Sequence, residues 1–342
     1  MPRPRNFSVW AYWRLRLEEL TEEDPIPVDG DGDEIGAWRV RARDRLHELV
    51  GPWPTAVPLE LEVVDETAAD GFTRQKVVYD SEKFMSVPAN LLVPDDHTGT
   101  GPAVLAIHGH GLDKDSVSTG DGYGAQLARR GFVVLAPDLR TFGERADDLL
   151  PLPEPDDFVS DVMHEHFRCD WPLVCAVMAG EQPLTQNLWD LRCGLDVLAQ
   201  HPGVDEARIG CAGWSYGGTL SLFLAALDER VKAAVVSSFF SSWRVAHTLP
   251  WNMCGNQVLW GMLGRIEHAH LGGLVAPRAL CCENAEDDDL FPADVARVEF
   301  EKVRRVYEHL DVPDRAVLDV FPGGHAWNGR EAVDFLKREL AS

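Results

Sequence analysis

The chain has 342 residues, 45% of them hydrophobic and 26% charged, a composition suited to one large α/β domain or two smaller ones. Its formal net charge of -24 disfavours nucleic acid and anionic membrane surfaces as partners, because both repel it. No stretch is long and apolar enough to span a bilayer. Met1 to Glu18 mixes Arg and Glu among tryptophans where a signal peptide would carry an apolar core, so the expectation is a cytoplasmic protein. The seven cysteines fit that compartment: their number is odd, and Cys175, Cys193, Cys211, Cys281 and Cys282 sit in apolar runs.

Residues 1–57 read as an N-terminal helical extension. Trp10, Trp13, Leu15 and Leu20 give a short helix one apolar side. A second helical pattern runs from Ile35 to Val50, and Gly51-Pro52 stops it. Packing of these aromatics on the core is the expectation; capping the site and forming a homo-oligomer contact are the other uses of such a segment. From Leu59 the pattern turns to period two, through Leu59, Leu61, Val63, then Val77 and Tyr79, then Val87, Ala89, Leu91 and Val93. Turn residues such as Asp70-Gly71 separate these runs, as in antiparallel strands.

Ala103 to Ile107 is continuously apolar, as a strand buried on both faces requires, and it ends in His108-Gly109-His110-Gly111. A helix over Tyr123 to Arg130 and a strand over Phe132 to Ala136 follow. An irregular, cap-like insertion spans about 141–183. Thr185 to Gln200 repeats Leu188, Leu191, Leu195 and Leu198 at helical spacing. Further strands fall at Arg208 to Ala212, Val231 to Val236, Arg278 to Cys282 and Ala316 to Phe321, with helices at Ala293 to Leu310 and Glu331 to Leu340. Repeated strand–helix units predict an α/β fold over residues 58–342, with a mostly parallel central sheet and helices on both faces.

Chemistry concentrates at Gly213-Trp214-Ser215-Tyr216-Gly217-Gly218, between an apolar strand and an apolar helix pattern. A serine between two glycines at a strand-to-helix corner is a nucleophile elbow; side chains at Gly213 and Gly217 would strike neighbouring backbone. The motif alone is equally compatible with a structural turn. A serine nucleophile needs a base, and the base needs an orienting carboxylate, in the chain order Ser, Asp or Glu, His. Downstream histidines are His247, His268, His270, His309 and His325. Only His325 follows a predicted strand in a Gly-rich loop; His309 ends a helix, and the others read as surface or packing residues. The carboxylate falls just past the strand ending at Cys282, where Asp287, Asp288 and Asp289 are alternatives. An oxyanion hole needs two N–H donors. The backbone of Tyr216 supplies one, and that of His110, on the loop after Ala103 to Ile107, the other.

His108-Gly109-His110-Gly111, Asp138 to Arg145, Asn187-Leu188-Trp189-Asp190, Asp205 to Gly210, the elbow, Ala226 to Arg230 and Ala276-Pro277-Arg278 together resemble an α/β-hydrolase of the dienelactone-hydrolase and acetyl-xylan-esterase-like branch. The resemblance runs from about Pro102 to the C-terminus. It implies the α/β-hydrolase fold, and it selects Asp288, which precedes Phe291-Pro292 at the branch's spacing. Dienelactone hydrolases use cysteine as nucleophile where this chain has Ser215.

The expected function is therefore a serine carboxylesterase acting on short-chain or acetyl esters, with Ser215, His325 and Asp288 as its triad and a small-molecule ester as substrate. No cofactor or metal is called for. His108 and His110 lack a third ligand at a recognisable spacing, and a set of His164, His166 and Cys169 lacks a fourth. Asp138, Arg140, Glu144 and Arg145 read as an internal ion-pair network. Two rivals stand beside the esterase. One is a peptidase or amidase of prolyl-oligopeptidase type, whose elbow is similar but whose β-propeller has no room here. The other is a non-catalytic binding protein on a hydrolase fold.

Overall fold

The computed structural model describes residues 5–146, 161–248, 252 and 254–341, with backbone only for 161–168. Among these residues nine strands form one sheet. They are β1 (Glu62–Ala68), β2 (Phe72–Glu82), β3 (Met85–Pro94), β4 (Gly101–Ile107), β5 (Val133–Pro137), β6 (Val204–Trp214), β7 (Val231–Ser237), β8 (Ala279–Ala285) and β9 (Ala316–Phe321), in spatial order β1-β2-β3-β5-β4-β6-β7-β8-β9. The pairings β1/β2, β2/β3 and β3/β5 are antiparallel; every pairing from β5/β4 to β8/β9 is parallel. The first strand begins later than Leu59 and lies wholly exposed at the sheet edge. Its charges, Glu62, Asp65 and Glu66, suit an edge that must not pair with another chain.

The continuous apolar strands are buried on both faces, and alternate residues enter two separate cores. Leu105, Leu135, Cys211, Val236 and Cys282 point into one core with α2 (Gly32–Val50), α6 (Pro183–Gln200), α7 (Tyr216–Leu227), α8 (His268–Val275) and α9 (Ala293–His309). Val104, Val134, Ala212, Val235 and Cys281 point into the other, with α3 (Lys114–Ser118), α4 (Tyr123–Ala128) and α10 (Ala332–Glu339). The mostly parallel sheet with helices on both faces is the architecture that the sequence pattern predicts.

Three features differ from expectation. α1 (Val9–Glu19) buries no residue, and Trp10 and Trp13 stay about half exposed. Core packing at the N-terminus comes instead from α2, through Ile35, Trp38, Ala42 and Leu46; its start is fixed by the Asp31/Glu34 capping box. The stretch 141–183 is not irregular throughout: α5 (Asp161–Ala179) lies within it, with Pro172 inside the helix. Cys175, on α5, is exposed, whereas Cys193, Cys211, Cys281 and Cys282 are buried. The side chains of His164 and His166, and Trp251, lie outside the described residues.

Candidate active site

The carboxyl ends of β4, β5, β6, β8 and β9 open onto one edge of the sheet, where α/β folds place their sites. At the end of β6 the chain turns within a single residue into α7. Ser215 takes φ 58° and ψ -118°, a region costly for a non-glycine residue and kept where surrounding structure imposes it. Two constraints impose it. The Ser215 N–H donates to Ser237 O at 2.8 Å. The turn also closes so tightly that a Cβ at Gly213 would lie 2.2 Å from Gly217 O, and one at Gly217 1.8 Å from Ile107 O. The steric role read for these glycines in the sequence is the one observed. Ser215 also sits at the N-terminus of α7, where the helix dipole favours negative charge.

His325 lies in the loop after β9. Its Nε2 is 2.9 Å from Ser215 Oγ, and its Nδ1 is 2.8 Å from Asp288 Oδ2. The ring stands between the indole of Trp214 and the ring of Phe291, 5.1 and 5.7 Å away between centroids. Asp288 is buried, while Asp287 and Asp289 are exposed. The other histidines are spent elsewhere. His247 and His268 are buried among Phe239, Trp243 and Phe291. His270 Nδ1 accepts the Glu267 N–H at 2.8 Å. His309 occupies the last turn of α9.

The two expected oxyanion donors flank the elbow from different strands. Neither the Tyr216 N–H nor the His110 N–H has an acceptor among the described residues. Their side chains stack on each other at 4.5 Å, and Phe142 meets the His110 ring edge-on at 5.6 Å. His108 has a structural job. Its Nδ1–H donates to Gly109 O at 2.8 Å, its Nε2 accepts the Leu139 N–H at 3.0 Å, and burial pushes its pKa down to about 4. This neutral tautomer ties the loop after β4 to the loop after β5.

The loop after β5 carries the expected ion-pair network. Arg140 grips Asp190 through two bonds of 2.8 Å and also reaches Glu82; Arg145 Nη2 meets Asp190 at 2.7 Å. Burial alone would raise the Asp190 pKa, but Arg145 and Arg140 outweigh it and bring it to about 2. Lys114 bridges Asp138 and Glu144 at 3.3 and 2.6 Å. Removing one partner of a pair as buried as Arg145–Asp190 typically costs about 3–5 kcal/mol.

One residue of the site escapes sequence reasoning. Glu283, near the end of β8, is buried and accepts from Ser237 Oγ at 2.6 Å, from the Asn328 N–H at 2.9 Å and from the Gly329 N–H at 3.0 Å. It thereby anchors the His325 loop from its far side, while Ser238 Oγ donates to Ala326 O at 2.7 Å. Burial raises the Glu283 pKa. Its only sequence signal is a carboxylate ending the apolar run Leu280-Cys281-Cys282.

Among the described residues, one group of side chains has metal-ligand spacing: His110, Cys169 and Cys254, whose ligand atoms lie within 4.8 Å of one another. His110 thus finds partners that no sequence spacing displays, because they come from α5 and from the loop at 254. A hydrogen bond with Cys254 draws the Cys169 thiol down to about 5, and the same contact pushes Cys254 up.

The family profile described as Acetyl xylan esterase (AXE1) matches residues 55–252, more than half of the chain. YtaP of Bacillus subtilis, provisionally named a hydrolase, is 26% identical over 207 residues, covering 58% of this chain and 63% of its own length. The matched stretch is therefore less than two thirds of that relative. A crystal structure from Bacteroides fragilis, provisionally described as an acetyl xylan esterase, superposes with TM-score 0.73 at 15% identity, over 93% of this chain and 83% of that one. A glucuronoyl esterase from Solibacter usitatus superposes with TM-score 0.65 at 15% identity, over 94% and 96%. These structural likenesses establish the shared fold, the α/β-hydrolase fold.

Proposed function

The chain belongs to the acetyl xylan esterase family, and on that premise we propose that it is a serine carboxylester hydrolase whose nucleophile, base and acid are Ser215, His325 and Asp288. The observation that carries this reading is the unbroken relay from Ser215 Oγ to His325 Nε2 at 2.9 Å and from His325 Nδ1 to Asp288 Oδ2 at 2.8 Å, built on a backbone-strained serine. Ser215 attacks the ester carbonyl as His325 Nε2 takes its proton. Asp288 holds the imidazole with Nδ1 protonated and stabilises the imidazolium. The N–H groups of Tyr216 and His110 receive the developing oxyanion. His325 then protonates the departing alkoxide. A water, deprotonated by the same imidazole, releases the acid and restores Ser215.

The substrates are short-chain esters, with acetylated sugars foremost. The family supports that choice, as do the structural neighbours described as an acetyl xylan esterase and a glucuronoyl esterase. A net charge of -24 disfavours polyanionic substrates. The test is hydrolysis of p-nitrophenyl acetate and an acetylated xylo-oligosaccharide, beside an aminoacyl anilide as the amidase control. Ester turnover lost in Ser215→Ala, together with fluorophosphonate labelling of the wild type alone, is the expected result. Undiminished ester turnover in Ser215→Ala, or faster anilide than ester cleavage, would sink it.

A further inference from the structure

The strongest unexplained cluster outside the triad joins three separate chain segments. His110 comes from the loop after β4, Cys169 from α5, and Cys254 from the residue capping a short 3-10 helix, Gly255–Gln257. His110 Nε2 lies 3.1 Å from Cys254 Sγ, and the two sulfurs and this nitrogen are mutually within 4.8 Å. The imidazole is not free to swing away, since Tyr216 stacks on one face at 4.5 Å and Phe142 abuts its edge at 5.6 Å. Cys169 is buried and Cys254 partly so.

The geometry points to a binding site for a thiophilic divalent cation, zinc above all, with His110 Nε2, Cys169 Sγ and Cys254 Sγ as its protein ligands. Tetrahedral zinc with bonds of about 2.3 Å to sulfur and about 2.0 Å to nitrogen needs sulfur and nitrogen roughly 3.5 Å apart and the two sulfurs roughly 3.8 Å apart. The observed 3.1 Å contact therefore has to open only slightly. Two soft thiolates and one imidazole select zinc and similar ions over magnesium or calcium. Both cysteines bind as thiolates, any thiol proton still present leaving to solvent, so two thiolates and one divalent cation make a neutral cluster, and no electron transfer is involved. Three ligands leave a fourth position. Cys254 also lines an apolar cavity of about 630 Å³ between α1 and α5, which gives that position access for a water. Such an ion would pin α5 and the 254 loop to the segment whose backbone supplies the His110 N–H. The assignment stands on these three side chains and does not depend on the reaction at Ser215.

The experiment titrates Co²⁺ into the full-length chain, reduced and freed of metal with a chelator, under anaerobic conditions. The expected result is saturation at one Co²⁺ per chain, with thiolate-to-cobalt charge-transfer absorption and the intense visible bands of a tetrahedral site. Both signals should vanish in Cys169→Ser and in Cys254→Ser and persist in Cys175→Ser. Zn²⁺ should raise the Tm of the wild type and of Cys175→Ser but not of the other two. A wild-type chain that shows no thiolate charge transfer overturns the proposal, whatever the variants do. So does a signal that survives in the Cys169→Ser/Cys254→Ser double variant.

Discussion

Asp288 places Oδ2 2.8 Å from His325 Nδ1 while its other oxygen, Oδ1, accepts the N–H groups of Leu290 at 2.8 Å and Phe291 at 3.2 Å. The carboxylate is thus fixed by its own turn before it meets the imidazole. That gives the Asp288…Phe291-Pro292 spacing a physical content: residues two and three ahead hold one oxygen so that the second stays aimed. Asp288→Asn is expected to lower kcat about 10⁴-fold, since an amide N–H facing Nδ1 favours the wrong tautomer. Asp287→Asn and Asp289→Asn, both at exposed positions, should leave kcat unchanged. Steady-state assays of the three variants check this; a loss shared equally among them would remove the special place of Asp288.

Glu283 should behave as a positioning residue. Glu283→Ala strips the acceptor from the Asn328 and Gly329 N–H groups. Each buried donor left unpaired costs about 1–3 kcal/mol. The His325 loop would then move, so kcat should fall with little change in KM. Glu283→Gln keeps one acceptor oxygen and should recover most of the activity. A Glu283→Ala enzyme that is destabilised yet fully active would show that the carboxylate holds the fold and not the histidine.

How much of this was legible depends on the range of the determining contacts. The elbow shows in the Gly-x-Ser-x-Gly pattern because the clash at Gly213 is local, with Gly217 O four residues on, whereas the contact that excludes a side chain at Gly217, Ile107 O, is long-range. His325 reads from its Gly-rich loop after a predicted strand. Among Asp287, Asp288 and Asp289 residue type cannot choose, because burial decides and burial is a tertiary property. Glu283 hides in a strand that looks purely structural. α8 is short and carries Gly272-Gly273, and α5 contains Pro172 beside acidic and Pro-rich sequence, so neither announces itself by composition. The group of His110, Cys169 and Cys254 is invisible in one dimension, its members being scattered over more than a hundred residues.

The His110 N–H, as distinct from its ring, can be tested by a pair of substitutions. His110→Ala keeps the donor, and His110→Pro deletes it. Losing one oxyanion donor typically costs about 10²–10³ in kcat. His110→Pro should show that loss, and His110→Ala a much smaller one. Thermal unfolding of both variants establishes that the loop remains folded. Equal losses would assign the effect to the imidazole, which stacks on Tyr216.

Glu267 gives the chain a pH dependence that can be signed. It precedes α8, is 7% exposed, and accepts the Trp243 N–H at 3.1 Å. Burial, reinforced by Glu299 and Glu22 and opposed by that hydrogen bond, raises its pKa from 4.5 to about 7. The folded state therefore holds this proton more tightly than the unfolded state. Stability from this group is full below about pH 4.5 and is lost as pH rises through about 7. Glu267→Gln keeps an acceptor for Trp243 and cannot ionise. It should be more stable than the wild type at pH 8, by up to about 3 kcal/mol, and nearly equal to it at about pH 4.5. Urea unfolding at the two pH values measures the difference. A gain of the same size at both would mean that ionisation of Glu267 is not what the wild type loses.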